Sequence, residues 1–313
     1  MIAVNMMFPS SLKKQVLERL LYSEVFKHPL NAAEISAGIT TNPQETAALL
    51  SEMVASGLIF QYGEFYGVFD QENKIERRKE GMERAQQLYE KALKTGRFIH
   101  SFPFVKGVGI SGSLSKGILH QDGDFDFFII TQNNRLWIAR TLLILYKKLF
   151  LLNSKKYFCV NYFIDDINLE IEEKNLFTAT EIHSLIPVVG EVLTEFHGAN
   201  AWVRSYYPGA PFSEVVLPEG KKPWFSRLLS AMLSGRLGEW ADKRCMHITF
   251  RRWKKKFSYF QTEKFELTLK TRRYISKHHP SDFQTKVLSK HRELIDRYKT
   301  HMNSSLVSEG IEL

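Results

Sequence analysis

The sequence predicts an α+β fold, with helical segments at both ends of the chain and a mixed sheet in the middle. Near the N-terminus, apolar residues recur at helical spacing before two short apolar runs. The middle alternates strand-like runs, rich in aromatic and β-branched residues, with helical patterns, and the remainder is mainly helical in spacing. These patterns divide the chain into a first unit, a connecting helix, a central domain and a helical C-terminal domain, namely 1–70, 71–100, 101–187 and 188–313.

The composition favours a globular protein with an anionic partner. The chain has 313 residues, of which 44% are hydrophobic and 25% are charged, which suits two or three domains with a sizeable core. Its formal net charge is +9 and its pI is about 9.3. Such a surplus favours a nucleotide, a nucleic acid or a membrane surface as partner, and a solvated basic surface is the alternative.

The cysteines and the apolar stretches bear on location. Cys159 and Cys245 lie far apart in sequence, which argues against a disulfide framework or a cysteine-based zinc site and fits a reducing cytoplasm. No basic segment followed by a long apolar stretch stands at the N-terminus, so we expect no signal peptide. The most apolar stretch, 136–152, contains three basic residues. The sequence therefore predicts a cytoplasmic protein without a membrane span.

The first segment has the pattern of three helices followed by a hairpin. Apolar residues at helical spacing cover 12–26, Asn31 is suited to cap a second helix, and Asn42 precedes a third that Gly57 ends. Two short apolar strands then flank a turn at Gly63. This order resembles the winged helix-turn-helix family of DNA-binding domains.

The third helix of this segment is poorly suited to bind DNA. Its polar residues include no Lys or Arg and are Gln44, Glu45, Thr46, Ser51 and Glu52. Neutralisation of phosphates supplies most non-specific affinity for DNA, and this helix provides none. We therefore expect a packing or protein-contact role for the unit.

The central domain begins after a charged connecting helix. A thin apolar stripe over 71–96 predicts that helix, with a solvated outer face. Strands are predicted over 104–110, 124–131 and 156–164, and a helix over 135–152.

The most informative motif lies at the start of the second predicted strand. Gly112-Ser113 is followed by ten residues and then by Asp124 and Asp126 in an apolar run. Residues i and i+2 of a strand share one face, so the two carboxylates can converge on a divalent cation. Small residues upstream offer backbone N–H groups to a phosphate. Together these features favour phosphoryl or nucleotidyl transfer.

The motif resembles that of the nucleotidyltransferase superfamily, which includes DNA polymerase beta and the small MNT-type enzymes. The segments 110–113 and 124–127 fit the family's spacing, although polar Ser111 stands where an apolar residue is usual. The resemblance covers about 100–185. It implies that Asp124 and Asp126 ligate Mg²⁺ or Mn²⁺ on a nucleoside triphosphate. It implies phosphate contacts from the residues of the turn and the loop, namely Gly112, Ser113, Ser115 and Lys116.

The family has a third carboxylate on a neighbouring strand, where it binds metal and helps to deprotonate the attacking hydroxyl. The corresponding position here is neutral Asn161, which we expect in the catalytic site although it cannot accept that proton. Asp165, Asp166 and Glu170 lie beyond it and are the alternatives if the strand extends.

The glycine spacing of dinucleotide-binding proteins is present, but the residues around it do not fit that fold. Residues 107–112 read G-x-G-x-x-G, with Asp126 nineteen residues after the first glycine. A dinucleotide-binding fold needs a helix directly after the glycines and an apolar strand that ends in the acid. Gly117 and Gly123 interrupt such a helix, and the apolar strand follows the acid, so we reject this interpretation.

The C-terminal region is the expected source of positive potential. Its run 251–256 contains five basic residues and Trp253, whose ring is suited to stack on bases. Further basic or histidine residues follow at Arg272, Arg273, Lys277, His278 and His279. A solvated helical face is the simpler interpretation, and a nucleic-acid groove is the alternative.

Two functions follow from the sequence. The first is a Mg²⁺-dependent nucleotidyltransferase that moves a nucleoside monophosphate from an NTP to an unidentified hydroxyl acceptor. The second is a catalytically weak or inactive protein of the same fold that senses nucleotides and uses the winged-helix unit as its output.

Overall fold

The computed structural model describes residues 8–70, 74–154, 156–209 and 220–313. Within these ranges the chain has twelve α-helices, a three-stranded sheet and a six-stranded sheet, so the predicted α+β class is confirmed. The two family resemblances are narrower statements and remain predictions.

The first unit has the predicted three helices and hairpin, with an additional short strand between the first two helices. Its elements are α1 (Ser10–Glu24), β1 (Leu30–Asn31), α2 (Ala32–Ser36), α3 (Pro43–Ala55), β2 (Phe60–Tyr62) and β3 (Phe65–Gly67). The strands form an antiparallel sheet in the order β1-β3-β2. Asn31 and Asn42 each close a reciprocal capping box at the start of α2 and α3, with the glutamate three residues later. The sequence signals for these two helix starts are therefore confirmed.

The C-terminal helix α12 (Phe283–Ser308) completes the core of this first unit. Leu294, Tyr298 and Leu306 are buried in one cluster with apolar residues of α1 and α3. The Tyr298 hydroxyl donates to the carbonyl of Leu58 at 2.6 Å. Lys13 of α1 is buried between the carboxylates of Glu52 and Glu309, 2.6 Å from each. The two ends of the chain thus share one hydrophobic core.

The six-stranded sheet forms the centre of the molecule. Its strands are β4 (Val105–Ser111), β5 (Asp126–Thr131), β6 (Cys159–Asp165), β7 (Ile186–Val189), β8 (Thr271–Arg272) and β9 (Ile275–Lys277). They are ordered β7-β4-β5-β6-β9-β8, with β5 and β6 parallel and the other neighbours antiparallel.

Helices cover both faces of this sheet. They are α4 (Ile75–His100), α5 (Gly112–Ser115), α6 (Leu136–Phe150), α7 (Leu176–His183), α8 (Val192–Ala199), α9 (Trp224–Met232), α10 (Arg236–Lys256) and α11 (Thr262–Thr268), with a 3-10 helix at Ala201–Ser205. Phe127 and Ile129 of β5 face a core shared with α4 and α6. Phe128 and Ile130 face the opposite core, shared with α7 and α8. Asp126 has the same strand parity as this second pair, which places it on the α7 side.

The region after residue 188 differs from its mainly helical prediction in one respect. The strands β8 and β9 join the central sheet beside β6, with Ser276 and Ile275 buried. Such short strands give only a weak pattern, so tertiary pairing decides them. Pro208, Pro211, Pro218 and Pro223 predict a loop between helices, and this segment falls mainly on residues 210–219, which lie outside the described ranges.

Trp253 is buried in the interior of the protein. It is 5% exposed, its ring meets that of Trp137 edge-on, and the Arg140 guanidinium lies 4.8 Å from its centre. The predicted role for this ring, stacking on bases, conflicts with its burial, because a base needs access to the ring face.

Candidate active site

The turn after β4 lies directly against the carboxylate of Asp126. Ser111 pairs with Asp126 across β4 and β5, and Gly112 follows with a φ of +71°. A Cβ atom at Gly112 would lie 2.5 Å from the Asp126 Oδ2 atom. Only glycine has both the left-handed freedom and the space that this turn requires. The predicted phosphate turn and the predicted metal strand are therefore in contact.

Asp124, Asp126 and Cys159 bring their ligand atoms together. One oxygen of each carboxylate and the Cys159 sulfur all lie within 4.8 Å of one another. Asp126 pairs with Cys159 across the parallel strands β5 and β6, so their side chains point to one face. Asp124 precedes β5 and reaches the same point. The predicted convergence of the two aspartates is present in the structure.

The electrostatics of this cluster are those of two close negative charges. Desolvation raises the pKa of Asp126 to about 7, and the nearby Asp124 and Glu181 carboxylates act in the same direction. A hydrogen bond from the Cys159 thiol and the charge of Lys116 oppose the rise. Burial and the same two aspartates raise the pKa of Cys159, so its sulfur stays protonated at neutral pH. A bound cation would relieve the repulsion between the carboxylates.

Asn161 lies beside the aspartate pair and contacts it through Cys159. Its amide donates to the Cys159 sulfur at 2.8 Å. The register of β5 and β6 shifts here, from Phe127 opposite Val160 to Phe128 opposite Tyr162, so Asn161 is the extra residue of a bulge. The side chain at the register position beside Asp126 is therefore Cys159.

The three alternative carboxylates do not reach this site. Asp165 pairs with Thr131, five residues along β5 from Asp126, a separation of about 16 Å. Its carboxylate accepts from the backbone of Ile167 and Asn168. Asp166 caps a turn and Glu170 pairs with Lys174. These groups stabilise loops at the other end of the sheet.

The loop residues are arranged around the Gly112 carbonyl. The Ser115 hydroxyl and the Lys116 ammonium both donate to it, at 2.9 and 3.0 Å. Lys116 also pairs with Glu181 of α7 at 2.8 Å. Ser113 uses its carbonyl to accept from the backbone of the same loop. Lys116 is thus held close to the aspartates by an acid from another element.

Sequence reasoning missed Cys159 and Glu181 as parts of this site. Cys159 has the same strand parity as Asn161, so the pattern that selected Asn161 also includes it. Glu181 lies on α7, and no spacing in the sequence links it to the loop. Only the folded topology brings it to Lys116.

A polar groove lies on the α4 side of the loop that precedes β5. Its volume is about 670 Å³. Its lining comprises Arg77, Glu80, Glu83, Arg84, Gln87, His120, Gln121 and Asp122. Partial burial and the charges of Arg77 and Arg84 lower the pKa of His120, so its ring is mostly neutral at neutral pH. The groove has the size of a small-molecule site.

Comparison of the chain with models of protein families, with curated proteins and with solved structures found no match in any of the three. Within the part of the chain that the structure describes, no helix has the length and apolar character needed to cross a membrane. We therefore infer the function from the geometry and chemistry of the site.

Proposed function

We propose that the chain is a nucleotidyltransferase that moves a nucleoside monophosphate from an NTP to a hydroxyl acceptor. The observation that carries this proposal is the contact between the Gly112 turn and Asp126, with Asp124 converging on the same point. A small-residue turn against paired carboxylates is the arrangement that a metal-bound triphosphate requires.

The residues present fit a hard divalent cation such as Mg²⁺ or Mn²⁺. Asp124 and Asp126 supply oxygen ligands, and triphosphate oxygens and water suit the remaining positions. Protonated Cys159 is a poor ligand for such a cation and serves better as a hydrogen-bond donor to the carboxylates. The cation, when bound, would neutralise phosphate charge and polarise the transferred phosphoryl group.

The chain's own residues would orient the substrate. Gly112 and Ser113 offer backbone and hydroxyl groups at the turn, and Ser115 and Lys116 lie in the same loop. Lys116 sets a positive charge beside the carboxylates and complements the triphosphate.

Proton removal from the acceptor is the weak part of this site. Cys159 and Asn161 occupy the place where the superfamily has its third carboxylate, and neither a protonated thiol nor an amide accepts a proton readily. Metal–triphosphate binding survives without this group, whereas general-base assistance contributes about a hundred- to ten-thousand-fold to rate. We therefore expect firm nucleotide binding with slow transfer.

The second candidate function is a nucleotide sensor, and contacts of α7 favour it. The Thr180 and Tyr207 hydroxyl oxygens lie 2.6 Å apart, and Arg19 of α1 stacks over the Tyr207 ring at 4.7 Å. Glu181, the partner of Lys116, follows Thr180. A change at the phosphate loop therefore has a short route to the first unit, the expected output of a sensor.

A pyrophosphate-release assay separates the two functions. The full chain is incubated with each labelled NTP, with Mg²⁺ or Mn²⁺, and with cell extract as a source of acceptors. An enzyme releases pyrophosphate and labels an acceptor, and Asp124→Asn with Asp126→Asn abolishes both products. Asp122→Asn is the matched control, since this exposed aspartate precedes the pair in the same loop. Metal-dependent NTP binding without release supports the sensor, and absence of both contradicts the site itself.

A further inference from the structure

Helix α9 has its apolar side turned to solvent. Four of its large apolar side chains recur at helical spacing and are strongly exposed, Trp224 by 70%, Phe225 by 55%, Leu228 by 54% and Met232 by 66%. The opposite side is packed on the protein and contains Ser226, which is fully buried. Among the described residues, the Ser226 hydroxyl has no hydrogen-bond partner. This orientation is the reverse of that of an ordinary surface helix.

The next helix continues the same character. After a three-residue turn, α10 exposes Leu237 by 62% and Trp240 by 60%. These two residues are one helical turn apart and share a face. We call the six residues the apolar ridge, namely Trp224, Phe225, Leu228, Met232, Leu237 and Trp240. Six large exposed apolar side chains within seventeen residues of sequence mark a candidate contact site.

The ridge is set in strongly basic sequence. Between 221 and 256 the chain has eleven Lys and Arg residues but only two acids, Glu239 and Asp242. Asp242 is fully buried and paired with Arg273 at 2.8 Å, and Glu239 pairs with Lys243 at 2.8 Å. Arg244 lies over the Trp240 ring at 5.8 Å. The accessible charge of this segment is therefore almost entirely positive.

We propose that the apolar ridge docks the protein on an anionic membrane surface. Aromatic and aliphatic side chains flanked by Lys and Arg are the chemistry that a headgroup–acyl boundary binds. The helices would lie on the membrane, since α9 has nine residues and α10 is highly charged.

Two other occupants fit less well. A second copy would place one basic ridge against another, and like charges oppose that contact. A single-stranded nucleic acid could stack on Trp224, Phe225 and Trp240, but it would leave the three exposed aliphatic side chains of the ridge without an apolar partner. At a membrane surface, both the aliphatic and the aromatic side chains of the ridge would be buried.

Vesicle binding by the full chain tests the proposal. Sedimentation is measured with phosphatidylcholine vesicles that contain or lack phosphatidylserine, at low and high salt. We expect binding that requires phosphatidylserine and weakens with salt. Replacing Trp224→Ser with Leu228→Ser should weaken it about a hundredfold, because burial of both side chains is lost. The control Ile167→Ser with Val307→Ser removes apolar residues that are 68% and 74% exposed elsewhere and should bind normally.

The variants also separate the other occupants. Circular dichroism first establishes that both double variants are folded. Failure of the wild-type chain to bind phosphatidylserine vesicles overturns the proposal, as does binding that the ridge variant retains. A ridge-dependent dimer, or ridge-dependent binding of single-stranded RNA, in a chain that ignores vesicles overturns it in favour of that partner. None of these results depends on nucleotide transfer.

Discussion

The paired strands β5 and β6 have an aspartate at each end, and the surroundings of the two carboxylates are opposite in character. At one end, Asp165 is 2% exposed, and its Oδ1 atom accepts from the Ile167 and Asn168 backbone and from the Asn168 amide. At the other end, Asp126 faces Asp124 and Glu181, and its pKa is raised to about 7. Three hydrogen bonds stabilise the Asp165 carboxylate. The Asp126 carboxylate instead lies near other negative charges, and a bound cation would stabilise it. The same pair of strands thus contains one acid with a structural role and one to which we assign the proposed function.

The largest expected effect is loss of function at the Asp126 end. Replacing Asp124→Asn with Asp126→Asn removes both ligand charges, and transfer should fall at least about a thousandfold, since a bound metal contributes several kcal/mol to the transition state. Pyrophosphate release measures this, with Asp122→Asn as control. Activity near the wild-type level in the double variant would place the site elsewhere.

A loss of stability is expected at the Asp165 end. Asp165→Ala leaves the donors of Ile167 and Asn168 without their acceptor, which should cost about 2–3 kcal/mol of unfolding free energy. Urea unfolding measures the loss. NTP binding by the folded fraction should be unchanged, and impaired binding in a fully folded variant would mean that Asp165 belongs to the site.

A gain of activity is expected from a new proton acceptor. Asn161→Asp sets a carboxylate next to Cys159 and should raise transfer about a hundredfold in the presence of metal. Asn161 is half-buried, so a charge is tolerated better there than at fully buried Cys159. The rate of pyrophosphate release measures this gain. The control Asp166→Asn, at the far end of the sheet, should leave that rate unchanged. An unchanged rate in Asn161→Asp means that another group accepts the proton.

The smallest expected effect is pH-dependent stability of the metal-free protein. The folded-state pKa of Asp126, about 7, lies above the usual 3.8, so folding favours its protonated form and stability falls as pH rises from about 4 to 7. Asp126→Asn removes this cost and should stabilise the protein at pH 8, with little effect below pH 4.

Urea midpoints in the presence of a chelator give this difference. Asp122→Asn provides the matched charge change at an exposed position. An Asp126→Asn variant no more stable than the wild type at pH 8 would show that folding does not raise the pKa of Asp126.

The sequence predicted the parts of the fold that local chemistry determines. Asn31 and Asn42 start helices because their side chains accept from backbone N–H groups three residues later. The contact between Gly112 and Asp126 follows from two short motifs on neighbouring strands. These signals act over a few residues, so one sequence contains them.

Long-range packing was not predictable in the same way. The union of α12 with the first unit involves Tyr298 and Leu58, which are 240 positions apart. The ion pair of Lys116 with Glu181 joins a loop to a helix 65 positions later. The bulge at Asn161, which sets Cys159 beside Asp126, depends on the pairing of β5 with β6. Each of these contacts forms only when the strands and helices have their final arrangement, so no local sequence signal predicts it.

Titration of Mn²⁺ into the full chain with a non-hydrolysable NTP, followed by electron paramagnetic resonance, measures whether Asp124 and Asp126 hold the cation. We expect one nucleotide-dependent Mn²⁺ site in the wild type, in Asp122→Asn and in folded Asp165→Ala, and its loss in Asp124→Asn with Asp126→Asn. Equal Mn²⁺ binding by the wild type and that double variant would show that these two aspartates do not form the site.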